Sequence, residues 1–166
     1  MALFPATVPD ERVHTNWAGA VLNAQVVATE LAKLGDPRMT TFLKLVDDVR
    51  PVVDARTVRD EAPRDPSLPT LFLVGDSTVR SGGQNGAIGW GERIAPYFDS
   101  GKMNVVNAAI GGRSSRTFFT EGRWERVKNQ LKRGDVVLIQ FGHNDGGRIG
   151  DPASKNRASV PGTGPE

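Results

Sequence analysis

An α/β fold with a parallel sheet is the class the sequence predicts, and two observations predict it. Three short apolar runs, at residues 71–74, 104–110 and 135–141, each close on glycine and polar residues. Helical patterns separate them, so residues 70–145 read β-α-β-α-β. Right-handed crossovers then bring the carboxyl ends of the three strands to one edge of the sheet. That edge is where open α/β sheets place their ligands.

The elements follow in order. Residues 1–13 are loop or extended chain, with prolines at positions 5 and 9. Thr15 or Asn16 can cap a helix whose Ala20, Val21, Ala24, Val27, Ala28, Leu31 and Leu34 recur at helical spacing. Gly35-Asp36-Pro37 ends it. His14 therefore stands on a loop just before a helix. Residues 40–49 suggest a short helix, and residues 60–69 have the proline and charge of a linker. The run Leu71-Phe72-Leu73-Val74 reads as a buried strand that stops at Gly75-Asp76-Ser77. A glycine-rich loop over 80–91 leads to an expected helix over 90–98. The second strand ends in Gly111-Gly112 and a second helix is expected over 123–132. The third strand ends in Gly142-His143-Asn144-Asp145, and residues 146–166 read as irregular loop.

Composition narrows the function classes. The 166 residues suffice for one domain with its own core, and 38% apolar with 24% charged residues is an ordinary globular balance. No cysteine is present, which excludes disulfides, thiolate zinc sites and a cysteine nucleophile. Two histidines, His14 and His143, exclude a histidine-rich metal site. No stretch approaches a membrane span, and residues 1–5 have neither a basic region nor an apolar run of signal-peptide type. The net charge of +2 is weak evidence for an anionic partner. The loop over 82–91 lacks Gly-Lys-Ser/Thr, which disfavours a phosphate cradle.

The strand ends carry the chemistry. Acyl transfer needs a nucleophile, a base and oxyanion donors. Ser77 offers the hydroxyl. Its backbone N–H, that of Gly112 and the Asn144 amide can donate to one point. Position 79 is Val, so the Gly-x-Ser-x-Gly elbow is absent.

Gly75-Asp76-Ser77-Thr78, Asn107 to Arg116 (NAAIGGRSSR) and Gly142-His143-Asn144-Asp145 resemble three of the four blocks of the GDSL or SGNH hydrolase family. Gly89-Trp90-Gly91-Glu92, Gly112-Arg113-Ser114-Ser115-Arg116 and the stretch from Phe141 to Gly147 (FGHNDGG) are similar to its rhamnogalacturonan acetylesterase-like branch. The resemblance implies a flavodoxin-like three-layer α/β/α sandwich with a parallel sheet. It makes Ser77 the nucleophile and Gly112 and Asn144 the oxyanion donors, with Gly111 the less favoured glycine. His143 becomes a structural or substrate-side residue. No cofactor and no metal are implied.

The family's fourth block, Asp-x-x-His, belongs near the C-terminus of its domain, yet no histidine follows His143. The stretch Val13 to Ala24 (VHTNWAGAVLNA) resembles that block and the last helix instead. By this resemblance His14 is the general base. Glu11, three residues before it, stands where the family has Asp, and Asp10 is adjacent; either can orient the ring. The expected organisation is a C-terminal-type segment over 1–35, a linker over 36–69 and the N-terminal portion of a domain over 70–166. A fragment of a tandem-domain protein gives this order most simply, and a circular permutant is the other arrangement. The fold is expected to be incomplete, leaving the third strand as an exposed apolar edge open to self-association.

The expected function is a serine esterase acting on acetyl or other short acyl esters of a polysaccharide such as rhamnogalacturonan. The alternative is an incomplete, inactive domain with at most weak carbohydrate binding. The resemblance implies a secreted or periplasmic location and no nucleic-acid or membrane partner. Arg113, Arg116, Arg123, Arg126, Lys128, Lys132 and Arg133 form a basic cluster, read either as a solvated helix face or as a contact for acidic polysaccharide.

Overall fold

A strand with an unbroken apolar run, here Leu71 to Val74, must be covered on both faces, and β1 (Thr70–Gly75) is buried throughout. The computed structural model describes residues 3–5, 13–44, 65–83 and 85–159. In it β1 is the central strand of a three-stranded parallel sheet, between β2 (Asn104–Asn107) and β3 (Val136–Gln140). Phe72 stands opposite Val106 on one side and Val137 on the other.

The alternation of β1 side chains divides the core into two layers. Leu71 and Leu73 face Ala24 and Ala28 of α1 (Trp17–Lys33), together with Trp90, Ile94 and Tyr97. Phe72 and Val74 face the opposite way. They pack with Val106, with Phe118 of α3 (Ser115–Thr120) and with Val127 of α4 (Arg123–Lys128). The result is the α/β/α layering expected. Each large side chain buried here contributes about 1.5–3 kcal/mol.

Several elements differ from expectation. Residues 90–98 form two 3-10 turns, Trp90–Arg93 and Ala95–Tyr97, and not one helix. Pro96 has no N–H to donate, so a continuous helix cannot pass through it. The second strand pairs in regular register only to Asn107, but Ala108 and Ile110 still donate to the Leu73 and Gly75 carbonyls at 2.9 and 3.0 Å. The α3 helix falls where the sequence assigned no element. A capping box between Ser114 and Thr117 starts it. The helix expected over 123–132 stops at Lys128.

Of the residues expected as linker, α2 (Pro37–Thr40) is a single turn capped by Asp36. The chain then extends, and Leu43 bridges to Phe98. Met39 is buried here and Phe42 packs against the core. The remainder of the helix expected over 40–49 lies outside the described residues. β3 is an outer strand of the described sheet, and Ile139 on it is 58% exposed.

Candidate active site

The close of β1 requires a glycine. A Cβ at Gly75 would lie 2.6 Å from the Gln140 carbonyl oxygen and 2.7 Å from a Val79 methyl. With no side chain there, the chain turns tightly: Val79 and Arg80 both donate to the Asp76 carbonyl, at 3.2 and 3.1 Å. The buried Asp76 side chain closes the same turn, accepting from the Thr78 N–H and hydroxyl, each at 2.8 Å. Gln140, at the end of β3, donates to Thr78 Oγ1 at 2.9 Å and accepts from the Trp90 indole at 2.8 Å. Ser77 is thus held on a turn fixed from three sides.

His14 reaches this turn from the other end of the chain. Its Nε2 lies 2.9 Å from Ser77 Oγ. The neighbouring residues place it. Thr15 and Ile88 exchange two hydrogen bonds, with Ile88 N–H donating to the Thr15 carbonyl at 2.8 Å and Thr15 Oγ1 donating to the Ile88 carbonyl at 2.8 Å. Asn16 caps α1 by accepting from Gly19 N–H. The Arg93 guanidinium lies over the Trp17 ring, 5.5 Å from its centroid. His143, exposed, meets His14 edge-on with centroids 6.5 Å apart. Glu11 and Asp10 lie outside the described residues.

Asn144 and Gly112, the residues expected as donors, stand beside the same turn. Asn144 Nδ2 donates to the Arg113 carbonyl at 3.1 Å and to Asp76 Oδ2 at 3.4 Å. It therefore joins the residue before Ser77 to the residue after Gly112. Gly112 has φ +75°, a left-handed conformation that an L side chain rarely adopts, and open space where a Cβ would stand. The Gly111 carbonyl accepts from Arg113 Nη1 at 3.1 Å. That carbonyl and the Gly112 N–H belong to one peptide unit, so the guanidinium polarises the N–H.

Three further side chains in this network had no role in the sequence reading. Gln140 is the last residue of an apolar strand, and Asp145 follows the candidate donor; neither pattern announced a contact. Asp145 accepts from Ser115 N–H at 3.0 Å and from Ser159 Oγ at 2.9 Å, and its Oδ1 also accepts from Ser115 Oγ. Arg157 comes from the segment read as irregular loop. The basic cluster is largely paired: Arg113 and Arg123 with Glu121, Lys128 with Glu125, Lys132 with Asp135. Among the described residues no group of three or more His, Cys, Asp or Glu could hold a metal ion, and no helix is long and apolar enough to cross a membrane.

The arrangement can deliver a hydroxyl, a proton acceptor and amide donors to one place. Comparison with known proteins points the same way. The GDSL-like Lipase/Acylhydrolase family matches residues 73–159. The chain is 43% identical over 97 residues to a rhamnogalacturonan acetylesterase of Emericella nidulans, covering 58% of this chain and 36% of that one. It is 39% identical over 88 residues to the probable rhamnogalacturonan acetylesterase YesY of Bacillus subtilis, covering 52% of this chain and 37% of that one. It is 43% identical over 77 residues to the rhamnogalacturonan acetylesterase RhgT of the same organism, covering 45% and 33%. The chain spans about a third of the length of these curated relatives.

Proposed function

Because the chain belongs to the GDSL-like Lipase/Acylhydrolase family, we propose that it is a serine esterase that removes acetyl or other short acyl groups from a polysaccharide of the rhamnogalacturonan type. One observation carries the reading: the 2.9 Å separation of His14 Nε2 and Ser77 Oγ, with the Asn144 amide next to the same turn. The names of the relatives support the substrate class.

In this reading Ser77 Oγ attacks the acyl carbonyl carbon while His14 Nε2 takes its proton. The oxyanion that forms accepts from the Ser77 and Gly112 N–H groups and from Asn144 Nδ2. The 3.4 Å contact of that amide with Asp76 is its longer one, and the one a substrate oxygen can replace. His14 then gives the proton to the sugar oxygen as its bond to the acyl carbon breaks, and the sugar leaves as an alcohol. A water, deprotonated by the same nitrogen, attacks the acyl carbon; the bond to Ser77 Oγ breaks, His14 returns the proton to that oxygen and the acid leaves. Glu11 or Asp10 orients the imidazole. Base and nucleophile come from separate segments, 1–35 and 70–166, joined through 36–69.

Acetate release from acetylated rhamnogalacturonan by the parent, Ser77→Ala and His14→Ala tests this. Each substitution is expected to lower kcat by about 10⁴-fold or more, since groups that act as a unit fail together. Parent release no faster than that of Ser77→Ala would favour an inactive, carbohydrate-binding domain.

A further inference from the structure

An oxyanion donor made from a side-chain amide has a weakness that a backbone N–H lacks. The terminal torsion of Asn is broad and roughly two-fold. Rotated by half a turn, Asn144 would present its oxygen where its nitrogen should be, and an acceptor there repels an oxyanion. Something must define which end faces the site.

Arg157 does so from behind. Its Nη1 donates to Asn144 Oδ1 at 3.1 Å and lies 3.4 Å from the Gly112 carbonyl, to which it also donates. A guanidinium has no acceptor, so only the amide oxygen can face it. On the opposite side the Arg113 carbonyl, at 3.1 Å, accepts and so requires the amide nitrogen. The two ends of Asn144 are thereby assigned by groups of opposite character. The bond from a charged donor also draws electron density toward Oδ1 and strengthens the Nδ2–H groups as donors.

The segment bearing Arg157 is itself anchored. Ala158 is 1% exposed, and its carbonyl accepts from Arg116 Nη1 at 3.2 Å. Ser159 donates from its N–H to the Asp145 carbonyl at 3.0 Å and from its hydroxyl to Asp145 Oδ1 at 2.9 Å. The chain after β3 thus folds back over the Asn144-Asp145 pair and sets the guanidinium against it.

We propose that Arg157 is a positioning residue for the oxyanion site, fixing the orientation and polarity of the Asn144 amide. This rests on the esterase reading given above. The test compares the parent, Arg157→Gln, Asn144→Ala and the double variant for kcat and KM with 4-nitrophenyl acetate. The Asn144 side-chain amide is followed in parallel by ¹H–¹⁵N NMR and hydrogen exchange. Deleting an oxyanion donor typically costs about 10²–10³ in kcat. Arg157→Gln is expected to cost less, about tenfold, with KM nearly unchanged. It should add little in the Asn144→Ala background. The Asn144 amide signal should shift and exchange faster in Arg157→Gln. An equal kcat loss with and without Asn144, or an Asn144 amide unaltered by the substitution, would overturn the proposal. If Arg157→Gln does not fold, Arg157→Lys, which keeps the charge and loses the planar fork, takes its place with the same readouts. If the parent shows no Ser77-dependent turnover, the esterase reading fails, and the amide spectra still decide the role of Arg157.

Discussion

A serine hydroxyl is a poor nucleophile until a base stands within hydrogen-bond reach. At Ser77 the separation from His14 Nε2 is 2.9 Å, and the rest of the turn is spent on holding that geometry. Asp76 serves the turn, its carboxylate accepting twice from Thr78. The motif blocks singled out Ser77, Gly112 and Asn144 at strand ends and His14 ahead of α1 for the roles proposed, because short strings were enough to mark them. Arg157 was not legible, since its contact depends on a loop with no periodicity. Tyr97 was equally silent. It is 2% exposed, its hydroxyl has no hydrogen-bond partner among the described residues, and burial pushes its phenol up from the usual value. A buried unpaired hydroxyl costs about 1–3 kcal/mol. Tyr97→Phe is therefore expected to be at least as stable as the parent, with a gain of about 1 kcal/mol in urea unfolding. A lower midpoint would contradict this.

Elements were legible where one residue type dominated. The three strands announce themselves as apolar runs, while the first crossover depends on a single proline at position 96. Helix α3 escaped because its cap is Ser114 with Thr117, and not the more telling Ser-x-x-Glu. The start of the sheet relies on a carboxylate that no motif reveals. Asp135 accepts from the Thr70 N–H at 2.7 Å, from the Lys132 N–H at 3.0 Å and from Lys132 Nζ at 2.9 Å. Burial opposes its charge, but the hydrogen bonds from Lys132 and Thr70 outweigh this and hold the carboxyl below the usual range. An unfolded aspartate titrates near about 3.9. The contribution of Asp135 is thus complete above that pH and is lost as pH falls through its lower folded value. Asp135→Asn is expected to lose about 1–2 kcal/mol at neutral pH. It should also show a shallower decline in stability on acidification, measured by urea unfolding at pH 7 and below pH 4. Parallel curves for the two proteins would argue against the carboxylate.

Over the whole molecule, His14 and Ser77 are 63 residues apart in sequence. Closing a flexible loop of that length costs roughly 3–4 kcal/mol by the logarithmic rule. The Thr15–Ile88 pair, the Arg93 guanidinium over the Trp17 ring, and the burial of Ala20, Ala24 and Ala28 offset it. The block around His14 identified the residue, but not that α1 would dock on the turn beginning at Trp90. That depends on complementary surfaces far apart in the chain, which no local pattern records. In the proposed function His14 activates Ser77 across this interface. Labelling by a fluorophosphonate, followed by peptide mass spectrometry, tests it without assuming a sugar substrate. One adduct per chain on Ser77 is expected, forming about 10²–10⁴ times more slowly in His14→Ala. An adduct on another residue, or an undiminished rate in His14→Ala, would contradict it.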